Sequence, residues 1–80
     1  MTNPKHLRPL IRDLMRAAPK KKWTPLAFLA AVADIHPDAV LSDVEAAITW
    51  NASKAYIDFT KDAESGVTFW SLTPDGKKKK

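Results

Sequence analysis

The side chains of this sequence that offer chemistry are mainly cationic. Thirteen lysines and arginines stand against nine aspartates and glutamates, giving a net charge of +4. Residues 1–22 hold seven basic and one acidic residue, residues 23–76 hold two basic and eight acidic residues, and the last four residues are lysines. This asymmetry favours a polyanionic partner that meets the basic ends, with a solvated helix face and a solubilising tail as the alternative.

Residue types that catalysis or metal binding requires are scarce. The chain has no cysteine, which excludes disulfides, thiolate catalysis and Cys-based metal sites. His6 and His36 are the only histidines, and neither has a second ligand at helical spacing. Gly66 and Gly76 are the only glycines, too few for a phosphate-cradling loop. We therefore expect no enzymatic activity, no metal, no cofactor and no small-molecule substrate.

The hydropathy pattern predicts no membrane segment. The longest nearly apolar run, residues 26–33, is far shorter than a bilayer span. The first ten residues lack the apolar core of a signal peptide. A cytoplasmic protein is the expectation.

Apolar residues at three- and four-residue spacing predict a first helix. Pro9 suits only a first turn, so the helix is predicted to begin near His6 to Arg8 and to end before Pro19. Three arginines recur every four residues and form one row beside the apolar stripe. They either extend over the edge of the core or face phosphates. The row consists of Arg8, Arg12 and Arg16.

Two further helices follow a polar turn and Trp23, which is a candidate short strand. Thr24 and Pro25 predict the start of a second helix, and Ser42 with Glu45 predicts a capping box for a third helix that reaches about Lys54. The predicted inward positions are Leu26, Phe28, Leu29 and Val32 in the second helix, and Val44, Ala47, Ile48, Asn51, Ala52 and Ala55 in the third. Asn51 is expected to act there through hydrogen bonds.

The hydropathy period then changes to two. Residues 56–59 and 67–72 alternate, and the polar residues between them predict an antiparallel hairpin. Residues 73–76 predict a turn, and the lysines after it predict a disordered tail. The predicted organisation is an N-terminal arm over residues 1–6, one domain over residues 7–76 and a basic tail over residues 77–80.

This order of elements resembles the winged-helix superfamily across residues 7–76. The segments that carry the resemblance are VEAAI at 44–48, AYIDF at 55–59 and FWSLTPDG at 69–76. The resemblance implies an α+β fold, a three-helix bundle with a C-terminal β-hairpin wing. The family often has Leu where this chain has Asn51, and Gly where it has Ala55; Ala55 predicts a more regular passage from helix to strand.

The same resemblance implies double-stranded DNA as a partner, and a transcriptional regulator or architectural factor associated with the nucleoid, sometimes as a homodimer. Basic side chains are expected to contact phosphates, and outward side chains of the third helix are expected to face the groove. The expected phosphate contacts are Arg8, Arg12, Arg16, Lys20, Lys21, Lys22, Lys54, Lys61, Lys77, Lys78, Lys79 and Lys80. The expected groove-facing residues are Thr49, Trp50 and Ser53.

Charge on the third helix favours an alternative function. Asp43 and Glu45 outweigh Lys54, and recognition helices usually carry Arg, Asn or Gln that reach base edges. A winged-helix domain that docks on a partner protein through this acidic helix and Trp50 is therefore the second hypothesis. Trp50 could pack against the hairpin, or it could be exposed and anchor an interface.

Overall fold

The computed structural model describes residues 4–79, which form an α+β arrangement of helices and a two-stranded antiparallel hairpin. Residues 1–3 of the predicted arm and Lys80 lie outside the described residues. The elements are α1 Pro4–Ala17, α2 Pro25–Ala33, α3 Leu41–Ser53, β1 Ile57–Lys61, β2 Thr68–Leu72 and α4 Pro74–Lys78. The bundle of α1, α2 and α3 followed by β1 and β2 has the order that the sequence predicted.

The first helix begins earlier than predicted. It starts at Pro4, and Pro9 lies in its second turn. Proline suits the first helical position because its fixed φ is helical and its missing N–H would have no partner there. Pro4 takes that role, and Pro9 is exposed in the second turn, where proline supplies no amide hydrogen to the helix.

Of the two predicted helix caps, one is confirmed and one is wrong. The Thr24 side chain accepts a hydrogen bond from the Ala27 amide at 3.2 Å, as predicted for the start of α2. In α3 the N-cap is Val40, so Ser42 lies inside the first turn and is exposed. The carboxylate of Asp43 accepts from the Val40 amide at 3.4 Å instead.

The core lies between the three helices and the first residue of β1. Its fully buried side chains include Leu7, Ile11, Met15, Phe28, Val32 and Val44. The Trp23 ring stacks on the Phe28 ring at a centroid distance of 4.6 Å. Leu26, predicted to be buried, is 68% exposed. Two residues along a helix rotate a side chain by about 200°, so Leu26 faces away from the surface that Phe28 buries.

The two hairpin strands pair with each other, and a one-residue bridge joins the hairpin to the bundle. Ile57 is paired with Leu72 and Phe59 with Trp70 in the ladder. Trp23 forms an isolated antiparallel bridge with Trp70, whose amide donates to the Trp23 carbonyl at 2.7 Å. The short strand predicted at Trp23 is thus one residue long, and it joins the linker after α1 to β2.

The passage from α3 to β1 is less regular than predicted. Ala55 has a φ of 60°, in the left-handed region that favours glycine. The Ala55 amide donates to the carbonyl of Ala52, and the Tyr56 amide donates to the carbonyl of Asn51, each at 3.0 Å. These two bonds form a Schellman motif, which requires a left-handed residue at this position whether or not it is glycine.

The C-terminal residues form a helix where the sequence predicted a turn and a disordered tail. The Thr73 side chain accepts from the Gly76 amide at 3.0 Å, and Pro74 takes the first helical position of α4. Gly76 is buried, and a Cβ atom there would lie 1.9 Å from the carbonyl oxygen of Tyr56. Glycine therefore allows α4 to lie directly on the backbone that follows α3.

Candidate nucleic-acid interface

The three arginines of α1 do not share one environment. Arg12 is only 3% exposed, and its Nη1 donates to Oδ1 of Asn51 at 2.8 Å and to the carbonyl of Arg8 at 3.3 Å. Nδ2 of Asn51 donates to the carbonyls of Arg8 and Ala47 at 3.1 and 2.9 Å. Burial lowers the pKa of Arg12. Arg12 therefore joins α1 to α3 inside the protein and is not an exposed phosphate contact.

Trp50 lies half-buried at the end of α3, within a group of cations. The Arg8 guanidinium carbon lies 4.6 Å from the centre of the Trp50 ring, and Nζ of Lys54 lies 5.9 Å from it. The Tyr56 ring lies 5.8 Å from the Trp50 ring, and Nζ of Lys79 lies 5.9 Å from the Tyr56 ring. We call Arg8, Lys54, Lys79, Trp50 and Tyr56 the aromatic–cation cluster. The half-buried Trp50 ring therefore contacts Tyr56 and two cations of this cluster.

Arg16 holds α4 against the end of α1. Its Nη2 donates to the Gly76 carbonyl at 2.9 Å and its Nε to the Lys77 carbonyl at 3.4 Å. Its Nη1 forms an ion pair with Asp13 at 2.6 Å. A cation at the C-terminal end of a helix interacts favourably with carbonyl oxygens that have no helical donor. Arg16 thus brings the C-terminal lysines back to α1.

A cavity of about 300 Å³ lies between α4, the end of α1, β2 and the linker before α2. Lys21 of the linker and Lys77 of α4 both line it, although they are 56 residues apart in the sequence. Their neighbours Lys20, Lys22, Lys78 and Lys79 are all exposed. The two basic segments, residues 20–22 and 77–79, therefore lie beside the same cavity, and we call them together the basic surface.

The hairpin tip adds little positive charge. Lys22 forms an ion pair with Asp62 at 2.5 Å, and this hydrogen bond is the main cause that lowers the pKa of Asp62 to about 2. Lys61 is exposed at the end of β1, and the loop after it carries Asp62 and Glu64. Lys61, which the sequence predicted as a phosphate contact, is thus balanced by carboxylates on its own loop.

The outward face of α3 is polar and without cations until its end. Thr49 and Ser53 are exposed, as predicted. The segment of residues 34–45 contains four acidic residues and no lysine or arginine, and we call it the acidic segment. Asp43 and Lys54 are about 16 Å apart along the helix axis, so the negative charge lies at one end of α3 and the positive charge at the other.

Sequence reasoning missed three contributors to this arrangement. These are α4, Tyr56 and the cavity. Thr73-Pro74 repeats the Thr24-Pro25 cap signal, so α4 had a signal in the sequence; Tyr56 and the cavity depend on packing between distant elements and had none. Among residues 4–79, no group of three or more His, Asp or Glu residues could hold a metal ion. Within the same range no helix has both the length and the apolar character to cross a bilayer.

No family model, curated protein or solved structure matches this chain. Similarity therefore assigns neither a fold family nor an activity. Charge, exposure and geometry of the described residues are what support a function.

Proposed function

We propose that this protein is a small winged-helix protein that binds double-stranded DNA, mainly through phosphate contacts made by the basic surface. One observation carries the proposal: α4 folds back on Arg16 and places Lys77 beside the same cavity as Lys21. Two basic segments from opposite ends of the chain thereby act as one surface, which suits a polyanion. A transcriptional regulator or architectural factor is the role we propose.

The aromatic–cation cluster extends the basic surface toward the end of α3. Lys79 belongs to both, because it follows α4 directly and its ammonium lies over Tyr56. Lys54 and Arg8 add two further cations beside the Trp50 ring. In this proposal Thr49 and Ser53, exposed on α3, make secondary contacts, and the hairpin tip contributes little because of Asp62 and Glu64.

Few base-reading side chains accompany these cations. The exposed positions of α3 carry none of the Arg, Asn or Gln side chains that form bidentate contacts with bases. Binding is therefore proposed to depend strongly on salt and weakly on sequence, since phosphate contacts carry little sequence information.

The test is a salt titration of affinity for a labelled duplex, read by fluorescence anisotropy. Each phosphate contact contributes about 0.9 to the slope of log K against log salt. We compare the wild type with Lys77→Gln/Lys78→Gln/Lys79→Gln, which should lower the slope by about 2.7 for three lost contacts. The matched control is Lys77→Arg/Lys78→Arg/Lys79→Arg, which keeps the charge and should keep the slope. Lys61→Gln should change neither affinity nor slope appreciably, because the carboxylates of Asp62 and Glu64 balance its charge on the same loop.

The acidic segment favours a second function, docking on a partner protein. Ile35 and Val40, both 54% exposed, lie among its four carboxylates. Exposed apolar side chains within a charged rim are typical of interaction surfaces. Absence of duplex binding at low salt, for any sequence tested, would overturn the DNA proposal and favour this docking function.

A further inference from the structure

The cavity beside the basic surface has the composition of a ligand site. Its apolar walls are formed by Met15, Trp23, Trp70 and Leu72. Its volume of about 300 Å³ lies at the lower end of the range for small-molecule sites, which suits a compound of one or two rings. The half-buried Trp70 ring in the wall favours a flat apolar body, because aromatic rings prefer stacked or edge-on contacts.

The charged groups of the cavity are all positive, and Ser71 is its one neutral polar residue. Arg16, Lys21 and Lys77 line it, and no acidic residue does. Arg16 is engaged with Asp13 and with two carbonyls of α4, so it fixes the wall. Lys21 and Lys77 are exposed, and Nζ of Lys21 lies 4.5 Å from the centre of the Trp23 ring. These two ammonium groups come from different elements and stand beside the apolar walls.

We infer that this cavity binds a small aromatic carboxylate. The ring would lie against Trp70, beside Trp23, and the carboxylate would accept charge-assisted hydrogen bonds from Lys21 and Lys77. A neutral compound of the same shape would gain the apolar contacts but not these bonds. This inference goes beyond DNA binding and does not depend on it, since it concerns the free protein.

The probe is 2-naphthoate, added to ¹⁵N-labelled protein without DNA and followed by NMR. The three tryptophan indole N–H signals are the readout, assigned with a Trp50→Phe variant. Trp23 and Trp70 line the cavity, whereas Trp50 lies in the aromatic–cation cluster. We expect the Trp23 and Trp70 signals to move in a saturable way and the Trp50 signal to stay in place.

Charge dependence is tested with a neutral analogue and two variants. For the wild type, 2-naphthylmethanol should bind about tenfold more weakly than 2-naphthoate, since charge-assisted bonds contribute this much or more. Lys21→Gln/Lys77→Gln should reduce naphthoate affinity to that of the alcohol, whereas Lys61→Gln should leave it unchanged. Thermal unfolding of each variant verifies that it is folded.

Three results would overturn the inference. They are equal affinity of the acid and the alcohol for the wild type, equal movement of all three indole signals, and no movement at millimolar naphthoate. Because no DNA is present, none of these results bears on the DNA proposal. Conversely, loss of DNA binding in the anisotropy experiment leaves the expected naphthoate result unchanged.

Discussion

Replacing Asn51 by leucine tests the buried link between α1 and α3. Asn51 is fully buried, and its side chain joins α3 to Arg8 and Arg12 of α1. The change keeps the approximate volume and removes three hydrogen bonds: the bond from Arg12 at 2.8 Å and the two bonds to the carbonyls of Arg8 and Ala47. It also leaves the guanidinium of Arg12, a residue that is only 3% exposed, without its amide acceptor.

The size of the effect follows from the charge of the donor. A hydrogen bond to a charged group contributes about 1.5–3 kcal/mol, and a neutral one about 1 kcal/mol. The backbone carbonyls keep their helical donors, so we assign most of the loss to Arg12. Asn51→Leu should lower the free energy of unfolding by about 3 kcal/mol, a large share of the stability of a small domain.

A double-mutant cycle separates the pair from other effects. Arg12→Met removes the charge and keeps much of the apolar stem, and Arg12→Met/Asn51→Leu makes the whole contact apolar. Well-packed apolar replacements of buried charged groups are often neutral or stabilising, whereas removal of one partner is costly. We expect the double variant to be more stable than Asn51→Leu, with a coupling energy of about 2 kcal/mol. Urea unfolding followed by far-UV circular dichroism at pH 7 measures it; a coupling below about 0.5 kcal/mol would refute this account of the α1–α3 contact.

Three further predictions concern the backbone and the hairpin. Ala55→Gly should stabilise the protein by about 0.5–1 kcal/mol, because glycine relieves the left-handed φ of 60° at a small cost in unfolded-state entropy; a lower melting temperature would contradict the Schellman motif. Gly76→Ala should destabilise the protein by about 3 kcal/mol, because the added Cβ atom would meet the Tyr56 carbonyl. Gly66→Ala should cost about 1 kcal/mol, because Gly66 has open space around it but a φ of 73°. Equal melting temperatures of the two variants would count against the packing of α4 on Tyr56. Lys22→Gln should raise the pKa of Asp62 from about 2 toward 3.8, measured by ¹³C NMR titration. Because the pKa of Asp62 is depressed in the folded state, the pair stabilises the protein at pH values above the pKa of Asp62 in the unfolded chain. This stabilisation is lost as the pH falls through about 2. If the pKa of Asp62 does not move in Lys22→Gln, the ion pair is excluded as the cause of its depression.

Local signals predicted most of the fold. Helical spacing located the three main helices, the change to a period of two located the hairpin, and Thr24-Pro25 located the start of α2. The predicted bridge strand at Trp23 is confirmed. These features depend on a few neighbouring residues, so the sequence contains them directly.

Features that depend on competition or on distant packing were predicted less well. Ser42 is a good cap, but α3 begins one residue before it. The carboxylate of Asp43 accepts the hydrogen bond from the Val40 amide instead. Pro9 suggested a later start than the structure has. Ala55 suggested a regular passage, yet the two bonds of the Schellman motif outweigh its left-handed strain.

In the candidate site, too, local features were predicted and features that depend on distant packing were not. Clustering of lysines at both ends was visible in the sequence, whereas their meeting beside one cavity depends on Arg16 and on α4. Arginines at equal spacing gave no sign that Arg12 is buried, because its partner Asn51 is 39 residues away. Periodicity locates a side chain on a helix face, but only tertiary packing decides what that face meets.

Mapping of amide chemical shifts on addition of a DNA duplex tests the proposed function most directly. At low salt, the account predicts saturable shifts of the backbone amides at residues 20–22 and 77–79 and at Lys54, with small shifts in the acidic segment. Rising salt should reverse them, since phosphate contacts release counterions. Shifts concentrated in the acidic segment or at the hairpin tip, or no shifts at all, would contradict the claim that the basic surface binds DNA.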